Sequence, residues 1–96
     1  MLNQVIIVGR LESENVDEII KIKVPRNYKN SDGLYDNDII PVVLIGATKE
    51  MTKEYCKKGD LLGIRGRIEN KEDEIVIITE KITFLSSGKK EEKEGE

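Results

Sequence analysis

From Asp38 to Ile68 the chain reads DIIPVVLIGATKEMTKEYCKKGDLLGIRGRI. An apolar run, a short amphipathic stretch and a Lys-Gly-Asp turn lead into a second apolar run ending in Arg65, Gly66, Arg67 and Ile68. The two runs are rich in Ile, Val and Leu at strand length, whereas the middle stretch spaces its apolar residues as a helix does. Two strands bridged by one helix, with further strand-like runs on both sides, predict a small closed barrel whose helix plugs one end. The helix is expected over Thr48–Lys58, with Thr48 as N-cap and Met51, Tyr55 and Cys56 on its buried face. Lys57 and Lys58 fall in its last turn, where the helix dipole favours cations, and Gly59 ends it.

The flanking segments supply three more strands. Leu2–Leu11 (LNQVIIVGRL) is the first, and its VIIV run reads as buried on both faces, by the barrel core or by another subunit. Gly9 within it marks a bulge or sharp bend. Glu18–Val24 (EIIKIKV) is the second: Ile20, Ile22 and Val24 alternate with Lys21 and Lys23, one face apolar and the other basic, and Pro25 is expected to end it. Residues 26–38 (RNYKNSDGLYDND) form a long loop or hairpin tip, with Asp32-Gly33 as its turn. Ile39–Ile45 is the third strand, and Pro41 places part of it at an edge or bulge. Leu61–Ile68 is the fourth, with Leu62, Ile64, Gly66 and Ile68 on one face and Arg65 and Arg67 on the other. After a polar turn (ENKEDE), Ile75–Leu85 is the fifth, broken near Glu80. The expected class is all-β: five strands with one short helix between strands 3 and 4 is the order of a five-stranded OB-fold barrel, one of a few small β-barrels that the pattern allows. Residues 1–85 make the barrel domain and residues 86–96 a charged disordered tail.

Composition narrows the function. The 96 residues allow one domain, with no His, no Trp, one Cys and a net charge of -3. A transition-metal site is not expected, nor a cofactor, and Cys56 has no imidazole to activate it, so it reads as a structural thiol. No catalytic arrangement of carboxylates is visible, and no enzyme activity is expected. No apolar segment is long enough to cross a bilayer as a helix, and no signal peptide precedes the first strand, so the expected location is cytoplasmic. The net negative charge weighs against nucleic acid only in bulk, because a basic face can sit on an acidic protein. The tail does not conceal such a domain: residues 86–96 hold three Lys and four Glu.

The segments MLNQVIIVGRL, PVVLIG, EYCKKGDLLGIRGRI and TEKITFL, in that order and spacing, resemble the bacterial single-stranded DNA-binding protein family over about residues 1–85. The resemblance implies an OB-fold that binds single-stranded DNA without sequence specificity, in replication, recombination or repair. It also implies a homotetramer built from dimers, or a homodimer, with Val5–Val8 in the subunit pairing and replication or repair proteins as partners. In that family bases stack on aromatic side chains while basic groups track the phosphates. Tyr28 matches the stacking position of the long hairpin. The third-strand positions fall on Ile39 and Ile45, and the last hairpin has no aromatic residue. Each lost stack removes about 1–3 kcal/mol per base. The family commonly ends in an acidic segment with an apolar tip; GKKEEKEGE mixes both signs and has none.

The residues expected to carry binding are Lys21, Lys23, Arg26, Lys29, Arg65 and Arg67 for phosphates, with Tyr28 and Tyr35 stacking. The plainer reading of the same residues is a solvated outer face with cations paired to nearby acids. The alternative function is an OB-fold protein–protein module with weak or lost DNA binding, using an exposed apolar strip at Ile39 and Ile45.

Overall fold

The protein, described as a computed structural model over residues 1–86, is a closed barrel in the strand order β1-β2-β3-β5-β4. Its elements are β1 (Val5–Leu11), β2 (Ile19–Lys29), β3 (Tyr35–Val43), α1 (Ala47–Tyr55), β4 (Leu61–Lys71) and β5 (Glu74–Ser86). The expected OB-fold order is therefore present, with the helix between strands 3 and 4. Most of the expected tail lies outside the described residues.

Alternation along each strand builds the interior. Ile7, Leu11, Ile20, Ile22, Val42, Leu44, Leu62, Ile64 and Ile82 are buried and pack as one core, with Cys56 closing one end. Two glycines let the strands cross closely enough to shut the ring. A Cβ on Gly9 would stand 2.5 Å from the Lys23 carbonyl oxygen, and one on Gly66 would overlap the Ile78 carbonyl. Gly9 thus serves a close approach of β1 to β2 rather than a bulge on β1. The register shifts of the β4–β5 ladder lie between Leu61 and Leu62 and between Arg65 and Gly66. At the second, Glu80 is the extra residue between Lys81, opposite Arg65, and Thr79, opposite Gly66, which is the break expected near Glu80.

The ladders also explain where the prolines are tolerated. Backbone N–H groups of alternate residues point to opposite edges of a strand. The Leu44 N–H donates to Glu18 O at 2.7 Å, so even-numbered residues of β3 face β2. Pro41 therefore turns its missing N–H toward β5, where the only paired residues are Val43 and Ile78. That is the edge-like position Pro41 predicted. Pro25 corrects an expectation. Rather than ending at Pro25, β2 runs on to Lys29 and pairs through Pro25↔Asn37 and Lys29↔Tyr35. Lys21 faces β1, donating its N–H to Ser13 Oγ and accepting at its carbonyl from Glu12 N–H. Pro25, four residues on, faces the same way. There β1 has already diverged, since it pairs with β2 only at Arg10 and Leu11. No ladder bond is lost, and the expected loop is a two-stranded ribbon with its tip at 30–34.

The helix is shorter than expected and turned differently. It begins after Gly46, whose φ of 57° suits glycine, and ends at Tyr55 with Cys56 as C-cap. Thr48 lies inside the helix; its hydroxyl accepts from Ile45 N–H instead of capping the first turn. Thr52 and Cys56 point inward, while Met51 and Tyr55 are exposed, with the Tyr55 ring 6.1 Å from that of Phe84. Lys57 and Lys58 lie past the helix, and Lys58 donates to Glu14 at 3.0 Å. The β4–β5 connection is also tighter than expected. Only Glu72 and Asp73 form the turn, both at positive φ (52° and 68°), the backbone of a two-residue hairpin that usually takes Asn-Gly.

β1 is covered on one face only. Ile7 and Leu11 enter the core, while Ile6 and Val8 are 69% and 50% exposed. Along Val5–Val8 the strand pairs with β4 on one side, and none of these residues pairs with β2.

Candidate nucleic-acid interface

The expected site residues fall in two places. Lys21, Lys23, Arg26, Tyr28, Lys29 and Tyr35 all lie on the β2–β3 ribbon. Arg65 and Arg67 lie on β4, whose barrel neighbours are β1 and β5.

On the ribbon the cross-strand register sets lysines beside aliphatic side chains. Ile20, Ile22 and Val42 point into the core, so the alternate residues point out. The outward pairs are Lys23↔Ile39, Lys21↔Pro41 and Ile19↔Val43. Lys23 Nζ stands 3.9 Å from Glu12, a long and exposed pair that contributes little. Lys21 has no ion pair among the described residues. The face therefore offers a row of two ammonium groups along a row of aliphatic groups.

Farther out, the ribbon is braced by Arg26. Its Nε and Nη2 donate to Asp38 Oδ1 at 3.0 and 2.8 Å, and Nη1 lies 3.8 Å from Asp36. The hydrogen bond from Arg26 holds the Asp38 carboxyl below its ordinary value, and the same bond raises Arg26. This guanidinium is already matched by carboxylates. At the tip, Asn30 Oδ1 accepts from Asp32 N–H and Leu34 N–H, and Gly33 supplies the left-handed residue of the turn (φ 79°). Lys29 Nζ sits 5.8 Å from the centre of the Tyr35 ring. Tyr28 and Tyr35 are both exposed there, so two aromatic faces and one ammonium share the end of the ribbon.

Arg65 and Arg67 belong to different surroundings. Arg65 stands opposite Ile6 on β1 and Lys81 on β5, and it has no ion pair among the described residues. Arg67 lies opposite Ile78, with Nη1 3.6 Å from Glu69. Lys81 was missed from sequence, although its signal was present. In EKITFL the inward residues are Ile82 and Phe84, which leaves Lys81, Thr83 and Leu85 outward.

Elsewhere the chemistry is quiet. Burial pushes the Cys56 thiol up to about 11, with the Asp60 carboxylate adding to the effect, so it stays protonated at neutral pH. No group of His, Cys, Asp and Glu among the described residues could hold a metal ion. No helix among them is long and apolar enough to cross a membrane.

Comparison with known proteins agrees with this architecture. A sequence model of the Single-strand binding protein family matches residues 2–75. Single-stranded DNA-binding protein B of Bacillus subtilis is 35% identical over 94 residues, covering 83% of each chain. A single-stranded DNA-binding protein of Streptococcus mutans is 34% identical over 83% of this chain, which spans 57% of that relative's length. Among solved structures, a deletion mutant of the Thermus aquaticus single-stranded DNA binding protein superposes with a TM-score of 0.67 at 20% identity. That likeness covers 90% of this chain and 51% of the other, and it bears on the fold alone. A barrel of this strand order, a matched stretch running from β1 into β5, and a relative of similar length at 35% identity converge on one assignment: the chain belongs to the single-strand binding protein family.

Proposed function

We propose that the protein binds single-stranded DNA without sequence specificity along the outer face of the β2–β3 ribbon. The observation that carries this reading is the ribbon itself, where Lys21 and Lys23 point outward along β2 and the exposed Lys29, Tyr28 and Tyr35 stand at its far end. Family membership and the names of the relatives support the ligand. Phosphates would track the lysines and one or two bases would stack at the tip, a mode indifferent to sequence because every base has a π-face. Arg26 acts by holding the ribbon straight through Asp38 rather than by meeting phosphate. Arg65 and Arg67, on β4, contribute only where a strand passes around the barrel. No step of this function requires bond making, and the protein is read as a binding module in the replication, recombination or repair of DNA, located in the cytoplasm.

The same reading includes self-association. The edge of Val5–Val8 away from β4 is open to a strand from a second copy, and Ile6 and Val8 would be covered with it. A dimer, or a tetramer of two such dimers, follows. Light scattering on the eluted protein is expected to give a dimer or tetramer mass, and a monomer at micromolar concentration would remove this part.

The decisive experiment is fluorescence anisotropy of labelled oligo-dT titrated with the protein at low and then moderate salt. Three phosphate contacts per subunit predict a slope of log K against log salt of about -2. Absence of binding at low salt would overturn the reading and turn attention to protein contacts.

A further inference from the structure

Beside the lysine row lies a groove of about 290 Å³ between β3 and the start of β5. Its walls are aliphatic: Ile19, Pro41 and Val43 on the β2–β3 side, Ile75 and Ile77 on the other, with Glu74 at the margin. No aromatic ring lines it. We propose that this groove is a nucleobase subsite that selects thymine over uracil by taking the 5-methyl group out of water. The proposal rests on the single-strand reading above and goes beyond it by naming the base and the wall that recognises it.

The occupant follows from what borders the groove. Lys21 stands directly across from Pro41, one of the groove's own walls, and Lys23 stands across from Ile39, one outward position farther along. Outward residues two apart on a strand are about 7 Å from each other, comparable to one nucleotide step of an extended backbone. A single strand whose phosphates meet the two lysines therefore carries its bases over β3 and toward the groove. The volume is ample for one base. Aliphatic walls give no π-face on which to stack, so the base is held by dispersion and by removal of apolar surface from water. Apolar side chains recognise the thymine methyl in the same way elsewhere. Glu74 at the margin is an acceptor for the ring N3–H, which thymine and uracil share. The methyl is thus the discriminating group.

The test compares oligo-dT with oligo-deoxyuridine of equal length, which share backbone, sugar and charge. Burying one methyl group favours dT by about fourfold for each base engaged. Ile75→Ser removes a wall residue that is 67% exposed, so the fold is expected to tolerate it, and an unchanged melting temperature checks this. It should narrow the preference for dT over deoxyuridine toward equality, with the larger loss falling on dT. Ile19→Ser, on the opposite wall, should do the same independently. Lys21→Gln should weaken both ligands by the same factor. Equal affinity of the unaltered protein for dT and deoxyuridine overturns the groove assignment and leaves single-strand binding standing. A dT preference that survives both serine variants also overturns it. Failure to bind either ligand at low salt removes the single-strand reading and the subsite with it.

Discussion

Two outer faces of this barrel mix cations with aliphatic side chains, and they do so in opposite ways. On the β2–β3 ribbon, lysines sit opposite aliphatic residues, Lys21 against Pro41 and Lys23 against Ile39. On the β1–β4–β5 face, Arg65 sits opposite Lys81, cation facing cation, in a shallow groove of about 340 Å³ walled by Ile6, Val8 and Leu85. Like charges directly opposite on neighbouring strands repel. The first pattern suits a polyanion running along the strand, because charge and apolar surface form parallel rows. The second concentrates charge at one point beside a strand edge that remains open, which suits a protein partner supplying both a backbone and a counter-charge. On the proposed reading the same residue types thus serve different contacts through register alone.

The harshest way to break this comparison is to remove the crossing that separates the faces. Gly66→Ala places a methyl group against the Ile78 carbonyl, a backbone atom that cannot rotate aside. We expect a loss of about 3 kcal/mol or more, or no folded protein, by chemical denaturation. A sharper cut reverses charge on one face at a time. Lys21→Glu with Lys23→Glu should lower affinity for single strands roughly 10- to 100-fold at low salt and reduce the salt slope by about 1.4. Arg65→Glu with Lys81→Glu should instead shift the association state seen by light scattering and leave the salt slope nearly intact. If the two pairs lower affinity alike, the faces are not distinct in function. Next in size is Tyr28→Ala, expected to cost about 1 kcal/mol of binding, the lower end for one stacked base. Unchanged affinity would take Tyr28 out of the site. The smallest effect concerns the hairpin that borders the groove. Glu72→Asn with Asp73→Gly supplies residues suited to positive φ and should raise stability by about 1 kcal/mol in chemical denaturation.

Much of the fold was readable from alternation. Ile20, Ile22 and Val24 against Lys21 and Lys23, or Leu62 and Ile64 against Arg65, state by their period of two which side faces the core. The break at Glu80 was readable for the same reason, since it interrupts that period. What alternation cannot convey is the neighbour across the strand. The effect of Pro25 depends on whether β1 is still alongside, which is a property of barrel curvature. The turn of the helix escaped because hydrophobicity favoured Met51 and Tyr55. Over a nine-residue helix entered through Gly46, the geometry of the plug selected Thr52 beside the expected Cys56. At the candidate site, residue types were legible and their engagements were not. Arg26 reads in sequence as a phosphate contact or as a cation paired to a nearby acid, and it is bound to Asp38, twelve residues away, because the ribbon folds back on itself. Arg65 reads as a companion of Lys21 but lies on a different face, because the ring order separates β4 from β2 and β3.

The seam between β3 and β5 is a single pair, Val43 with Ile78, whereas β4 and β5 are joined along the whole length of both strands. Mechanically the barrel is a five-stranded ribbon rolled up and fastened at one rung. Hydrogen–deuterium exchange should therefore release the Val43 amide, which faces β5, before those of the β4–β5 ladder. Small excursions at that fastening would widen the aliphatic groove beside it without unzipping a strand.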